Sequence, residues 1–349
     1  RDGWLAGGGQ RLEIEHLSAW CAGHYGGAGD WRLDFNQLAF DDGVSAWTAP
    51  RVALERNLDE DVGLWISADY LPIDVPVKLA RDIMLVYGRP WPSKLPGLAA
   101  GGVTGLDLLL DRKWQLRLAR GTARQVRIGD WGIWPDLQGL DGTVTLESGF
   151  GHLSLHAGRL GVQWPGMFSG PLAFSVPACE IDLTWGTHFQ AGVHQCQLLN
   201  EDITIGGDAL FAGNQGRPAV DVNVEVTRTK LQNLSPYWPD GILSPNLVKW
   251  LRQGLTKGDG VRGRFQIRGD MDDWPFRQGE GTFEAVAQVA AGRLDYAAAW
   301  PVAEKVDAVV RFSGPSMTVT GTVGDIGGVA VQRVSAGIAD LKQPVLLLD

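Results

Sequence analysis

The sequence predicts a mainly β protein: a long antiparallel meander sheet, elongated and solenoid-like, carrying one or two short amphipathic helices. Three observations lead there. Stretch after stretch alternates apolar and polar residues with the two-residue period of a strand, as in Val220–Val226, where four valines oppose Asp221, Asn223 and Glu225. Glycine at 47 and proline at 18, with 15 tryptophans, suit many turns and short strands better than a helical bundle. Only two segments carry a helical period.

Taken in order, residues 1–95 read as an N-terminal β segment with a candidate helix at Val75–Tyr87, where Asp74 can cap and Leu79, Ile83 and Val86 recur about a turn apart. The Pro- and Gly-rich Pro90–Gly102 is the expected linker, so residues 96–349 form the second part. There, Thr143–Val162 reads as a hairpin continuing into a third strand. Further strands are expected at Arg264–Gly269, Gly281–Ala290, Asp307–Gly314, Met317–Val323 and Gly328–Val334. A repeat is visible: Trp134-Pro135 with Asp141–Val162 resembles Trp300-Pro301 with Asp307–Val331. Repeated meanders stack into a long sheet with one continuous apolar face. A second helix is expected over Ser244–Leu255, with Ser244 as N-cap, Pro245 at the first helical position, and Leu247, Val248, Trp250, Leu251 and Leu255 on one stripe. So short a helix must lay that stripe on an apolar surface.

Charge and chemistry narrow the function classes. A net charge of −9 and a pI near 5.2 repel phosphate backbones, so nucleic acid is not an expected partner. No apolar run reaches the ~20 residues of a membrane span, and RDGWLAGGGQ is not a signal peptide. Starting without Met and ending at PVLLLD in what reads as a strand, the chain is expected to be a piece of a longer protein. Cys21, Cys179 and Cys196 show no CxxC pair; Cys179 and Cys196 can bridge a hairpin in an oxidising compartment, but buried free thiols are the simpler expectation. His152 and His156 sit on the polar side of a strand without acidic or thiol companions, so no metal is expected. Asp41-Asp42, Asp59–Asp61 and Asp272-Asp273 read as turn acids, and no nucleophile elbow, zinc helix, phosphate loop or dinucleotide fingerprint occurs. No cofactor is expected, and no enzyme. The recurring Trp-Pro pairs read as plugs at strand ends rather than a sugar platform.

Over Tyr237–Gly260, YWPDGILSPNLVKWLRQGLTKGDG, then GRFQIRGDMDDWPFRQGEGTFEA and LDYAAAWPVAEKVDAVVRFSG, the chain closely resembles the YhdP group of the AsmA-like superfamily, with its Y-P, WL helix, (F/W)PF, G-x-F and L-x-Y-x-x-x-WP in order. Residues Gly139–Trp185 resemble the preceding part more loosely. The resemblance covers almost the whole chain as an internal segment of the family. It implies a large protein of the Gram-negative periplasm, anchored in the inner membrane through a segment absent here. Such a protein spans the periplasm as a long β groove along which phospholipids move toward the outer membrane, with other envelope proteins as candidate partners. It carries over no catalytic residue.

The residues expected to meet acyl chains are the inward positions Val144, Leu146, Leu153, Leu155, Val220, Val222, Val224, Val226, Phe265, Ile267, Phe283, Ala285, Val310, Phe312, Met317 and Val319, with the helix stripe as a cover. On the residues alone a closed core, in which a second sheet and the helices cover this face, is the simpler arrangement; the resemblance favours the open groove. The competing functions are a non-catalytic β scaffold or glycan-binding module of the envelope, and a hydrolase with an unrecognised carboxylate pair. Lipid analysis of the folded chain separates them.

Overall fold

A computed structural model describes residues 3–7, 10–14, 16–41, 46–57, 62–73, 97–129, 135–213, 217–241, 243, 245–295, 301–341 and 345–348. It divides into two units, Arg1–Gly161 and Val162–Asp349. Both are mainly β, and no helix among the described residues is long and apolar enough to cross a membrane.

In the first unit a small hairpin of β1 (Gly3–Gly7) and β2 (Gln10–Ile14) stands apart. The antiparallel meander then runs through β3 (His16–Tyr25), β4 (Trp31–Asp41), β5 (Ala46–Asn57), β6 (Val62–Pro72), β7 (Gly97–Asp111), β8 (Leu116–Gly129) and β9 (Asp136–Glu147), each pairing with the next. After a two-residue turn comes β10 (Phe150–Gln163). The candidate helix at Val75–Tyr87 and residues 90–96 of the expected linker lie outside the described residues, while Gly97–Gly102 open β7. The expected third strand after Thr143 is the far end of β10.

The second unit continues with β11 (Leu172–Thr184), β12 (Gln190–Leu199), β13 (Ile203–Ala212) and β14 (Ala219–Thr229). Two short 3-10 turns and helix α1 (Pro245–Gly254) precede β15 (Leu255–Asp270). Then follow β16 (Thr282–Leu294), β17 (Ala303–Ser313), β18 (Ser316–Ile326), β19 (Val329–Ile338) and β20 (Leu346–Leu348). From β11 onward each strand again pairs antiparallel with its successor.

One hairpin geometry recurs. Between β8 and β9 the pairs Ala123↔Gly142, Val126↔Leu140 and Ile128↔Leu137 enclose a bulge; position for position they return as Val289↔Ala308, Gly292↔Val306 and Leu294↔Ala303 between β16 and β17. Inside each bulge one residue takes a left-handed conformation, Gln125 (φ 51) and Ala291 (φ 49), a strained setting for a side chain. Its N–H, released from the ladder, donates to an aspartate 16 residues on: Asp141 Oδ1 at 2.9 Å and Asp307 Oδ1 at 2.8 Å. A third copy sits between β12 and β13, where Gln195 (φ 51) donates to Asp208 Oδ1 at 2.9 Å. The Trp-Pro repeat of the sequence is thus a repeat of bulged hairpins, although Trp134 and Trp300 themselves lie outside the described residues.

Cys179 and Cys196 form a disulfide between β11 and β12, correcting the expectation of free thiols. The two strands are neighbours, and Cys196 follows the bulged Gln195, the residue level with Cys179 in the register, a placement that alternation alone does not reveal. Cys21 is free and exposed.

Candidate functional site

The register decides which predicted positions share a face, because residues directly opposite in an antiparallel pair point the same way. In the second unit one row reads Gly207, Val224, Phe265, Ala285, Phe312, Met317 and Ile338 across β13–β19. A neighbouring row reads Ala209, Val222, Ile267 and Phe283, and another pairs Val310 with Val319 and Ala336. Val220 lies opposite Phe211 and Gly269, and Val226 opposite Ile205 and Gly263. The twelve expected positions from β14 to β18 therefore lie on one face of one sheet. In the first unit, Leu146 joins Leu33, Leu54, Ile66, Leu108 and Ala119 in a row across β4–β9, and Val144 lies opposite Gly121. Leu153 and Leu155 alternate on β10 with exposed His152 and His156.

The opposite face is polar. Asp221 faces Arg268 across β14 and β15, with oxygen and nitrogen 3.6 Å apart, and Asn223, Gln266 and Glu284 form a polar row. A depression of about 570 Å³ on this side is lined by Arg262, Arg264, Arg311, Glu225 and Glu284. In the first unit Arg32 bridges Asp34 and Glu55 and lies over the Trp65 ring at 5.4 Å. Its hydrogen bond holds the Asp34 carboxyl below the usual carboxylate range.

The apolar face is thinly covered. Ile267 is 8% exposed, yet the other expected positions are only half-buried, and among the described residues no large side chain is fully buried. Layered domains bury central side chains completely because a second layer lies over them. In the first unit Ala49, Val52 and Ala68 are buried in mid-strand among Phe35, Leu54 and Leu106; in the second, cover is concentrated at the two ends of the strands.

At one end, the segment after β14 folds back over the sheet. Leu231 and Leu234, 4% and 9% exposed, pack with Leu172, Phe174 and Ile203, and Val226, Ile205, Tyr237 and Trp238 close around them. Polar bonds fasten this connector. Asn200 Nδ2 donates to the Tyr237 hydroxyl at 2.7 Å, that hydroxyl donates to Asp202 at 3.3 Å, and Asn233 Nδ2 donates to Asp202 at 2.6 Å. Burial pushes the Tyr237 pKa up. Helix α1 follows, with Val248 and Leu251 buried, Lys249 exposed, and Arg252 paired with Asp240 and donating to Ser169 Oγ at 3.3 Å. Leu255 does not belong to the helix: Gly254 ends it and Leu255 opens β15 opposite Leu294, a boundary the continuing apolar stripe concealed. Ser244 and the side chains of Leu247 and Trp250 lie outside the described set.

At the other end, the β15–β16 turn carries a cis Trp274-Pro275 bond. Trp274 meets Phe283 and Phe276 edge-on, at 5.2 and 5.5 Å between centroids. Phe276, 5% exposed, is seated between Gly269 and Gly281, where an added Cβ would come within 2.8 and 2.6 Å of its ring. Only glycine leaves that slot. The motif residues Tyr237, Trp274, Phe276, Gly281 and Phe283 are therefore the builders of the two margins. Leu231, Leu234, Asn200 and Asp202 escaped the sequence reading; the apolar spacing in LQNLSPYW was the available signal. No group of histidine, cysteine and acidic residues able to hold a metal occurs among the described residues.

Fold and site define a class: antiparallel meander sheets that gather apolar rows on one face, framed in the second unit by apolar cover at the strand ends. The chain belongs to the YhdP protein family, whose model matches residues 10–349. It is similar to the intermembrane phospholipid transporter YhdP of Escherichia coli (strain K12), with 21% identity over 284 residues, 78% of this chain and 21% of that protein. The chain thus spans about a fifth of that relative's length. Neither likeness indicates an enzyme, and no solved structure matches.

Proposed function

We propose that this chain is a segment of an inner-membrane-anchored, periplasm-spanning protein that conducts phospholipids along its apolar face toward the outer membrane. The observation that carries the reading is the run of apolar rows on the second unit's sheet, in which Val222, Val224, Phe265, Phe283 and Phe312 stay half-buried while Ile267 is buried. Water on so large a surface is costly, and acyl chains relieve it at about 0.8 kcal/mol per buried CH₂. Contacts of this kind are non-directional, so a lipid can shift from row to row at little cost. The E. coli relative is an intermembrane phospholipid transporter, and with the family membership it supports this cargo. The Cys179–Cys196 bridge suits an oxidising compartment such as the periplasm. Segments outside this chain would provide the membrane anchor, and helix α1 would cover part of the face through Val248 and Leu251.

The test is mass spectrometry of lipids that copurify with the chain expressed in the periplasm. Two-tailed phospholipid at stoichiometric amounts supports the reading. A lipid-free protein that retains glycans on a column, through exposed aromatics such as Trp20 and Trp114, would replace it with the glycan-binding alternative.

A further inference from the structure

We infer that the depression on the polar face of the second unit is a binding site for a phosphate group, built by Arg262, Arg264 and Arg311; it lies on the face opposite the apolar strip of Val222, Val224, Phe265 and Phe283 and does not depend on the lipid reading above. The register explains why a hollow forms there. Val286, half-buried, lies opposite Arg264 on β15 and Arg311 on β17, and Gln288, the next residue on the same face, lies opposite Arg262. A short valine is thus ringed by long side chains, with Gln266 and Glu284 closing the other side. Val286 and the bare backbone of Gly263 form the floor of a hollow of about 570 Å³. Arg264 and Arg311 stand two strands apart, about 10 Å at the ~4.8 Å spacing of strands, and Arg262 is two residues, about 7 Å, from Arg264. From these positions three guanidiniums converge over Val286.

These arginines differ from the others in their lack of acidic partners. Arg32 is bound by Asp34 and Glu55, Arg120 by Asp107, Arg268 by Asp221 and Arg277 by Asp340. Among the described residues no carboxylate comes within ion-pairing distance of Arg262, Arg264 or Arg311, although all three are exposed and Glu225 is level with Arg264. Three like charges around one short residue repel one another, and an anion seated among them relieves that. Guanidinium forks match the oxygens of phosphate, and three of them set around a centre suit a tetrahedral oxyanion better than a flat carboxylate, which offers only two oxygens. Counted with Glu225 and Glu284, the lining keeps a net charge of +1 in a chain of −9, so contacts at the site and not the long-range field must hold the ion.

The experiment follows the arginine Nε signals of the ¹⁵N-arginine-labelled 349-residue chain by NMR during titration with inorganic phosphate at constant ionic strength. The signals of Arg262, Arg264 and Arg311, assigned through single Arg→Gln variants, are expected to shift together along one saturable curve, with acetate binding about fivefold more weakly. Arg264→Gln should weaken phosphate binding about fivefold and Glu284→Gln should tighten it about twofold, while Arg268→Gln, which removes an arginine already matched by Asp221, should leave it unchanged. Glycerol 3-phosphate binding more tightly than inorganic phosphate assigns the site to a phosphate carried on an alcohol, as in a headgroup; equal or weaker binding assigns it to the free ion. Shifts that rise linearly without saturating, or an Arg264→Gln curve that matches the wild type, overturn the site. Tighter binding of hexaglutamate than of either phosphate overturns it in favour of an acidic protein segment.

Discussion

Replacing Val224 by aspartate separates an open apolar face from a closed core. Val224 is half-buried, facing Gly207 on one side and Phe265 on the other, second in the longest apolar row and midway along β14. Fully burying a valine is worth about 1.5–3 kcal/mol, so about half of that, roughly 1 kcal/mol, is lost with the side chain. The low strand propensity of aspartate adds up to about 1 kcal/mol. On an open face the carboxylate keeps its water, and the total stays near 2 kcal/mol. That lowers the melting temperature by about 4–8 °C in a domain of some 200 residues. Beneath a second layer the same carboxylate would be buried without a partner, at several kcal/mol beyond the lost packing, which approaches the whole stability of a domain.

Circular dichroism melting and lipid mass spectrometry on the same preparation read the result. The variant is expected to fold, melt a few degrees early and lose most of its lipid, since a charge mid-strip repels tails that the row otherwise holds. A variant that does not fold would refute the open face and with it the argument for a lipid path. A folded variant with unchanged lipid content would refute the role of this row.

Cys179→Ser should lower stability by about 3 kcal/mol, the value for a loop near the 17-residue separation of the bridge, and reduction of the wild type should reproduce that loss in a melting experiment. Asp141→Ala and Asp307→Ala should each cost about 1 kcal/mol, and by the same amount, because each removes the acceptor of an equivalent bulge N–H; unequal losses in denaturant titration would contradict the hairpin repeat. Tyr237→Phe should loosen the connector, detectable as faster amide exchange over residues 231–237, and it should flatten the alkaline stability profile. The sign follows from the raised pKa: the unfolded chain gives up the tyrosine proton first, so Tyr237 contributes stability below about pH 10 that is lost as pH climbs toward its folded-state pKa. A wild-type and variant pair with parallel alkaline profiles would contradict that burial.

Alternation made the faces legible. Val220–Val226 needs no structure to be read as a strand with one apolar side, and once strands pair with their neighbours, period two places Phe265, Phe283 and Phe312 beside it. What alternation cannot carry is the cover at the strand ends. Leu231, Leu234 and Tyr237 belong to a connector with neither helical nor strand period, and their partners Leu172, Phe174 and Asn200 are distant in sequence. Phe276 is invisible for another reason: it needs a slot between two glycines that only the β15–β16 pairing brings together. The disulfide was concealed by the bulge at Gln195, which shifts Cys196 relative to the simple alternating count.

The bulges connect the hairpin repeat to the strip. A regular strand keeps one set of side chains on one face throughout; an extra residue would flip every position beyond it. The inserted residue at Gln125, Gln195 or Ala291 takes the left-handed turn itself and hands its N–H to an aspartate, so the strand bends without sacrificing a backbone hydrogen bond. Beyond the bulge, Val126 and Leu140 resume as buried apolar partners, while Gly292 meets Val306 in the same register. Each repeat thereby adds twist while returning apolar residues to the same side, which lets a single-layered sheet be lengthened by copying one hairpin. The aspartate is the part that alternation misreads: Asp141 and Asp307 look like ordinary polar-face residues, yet each is the acceptor on which its bend depends.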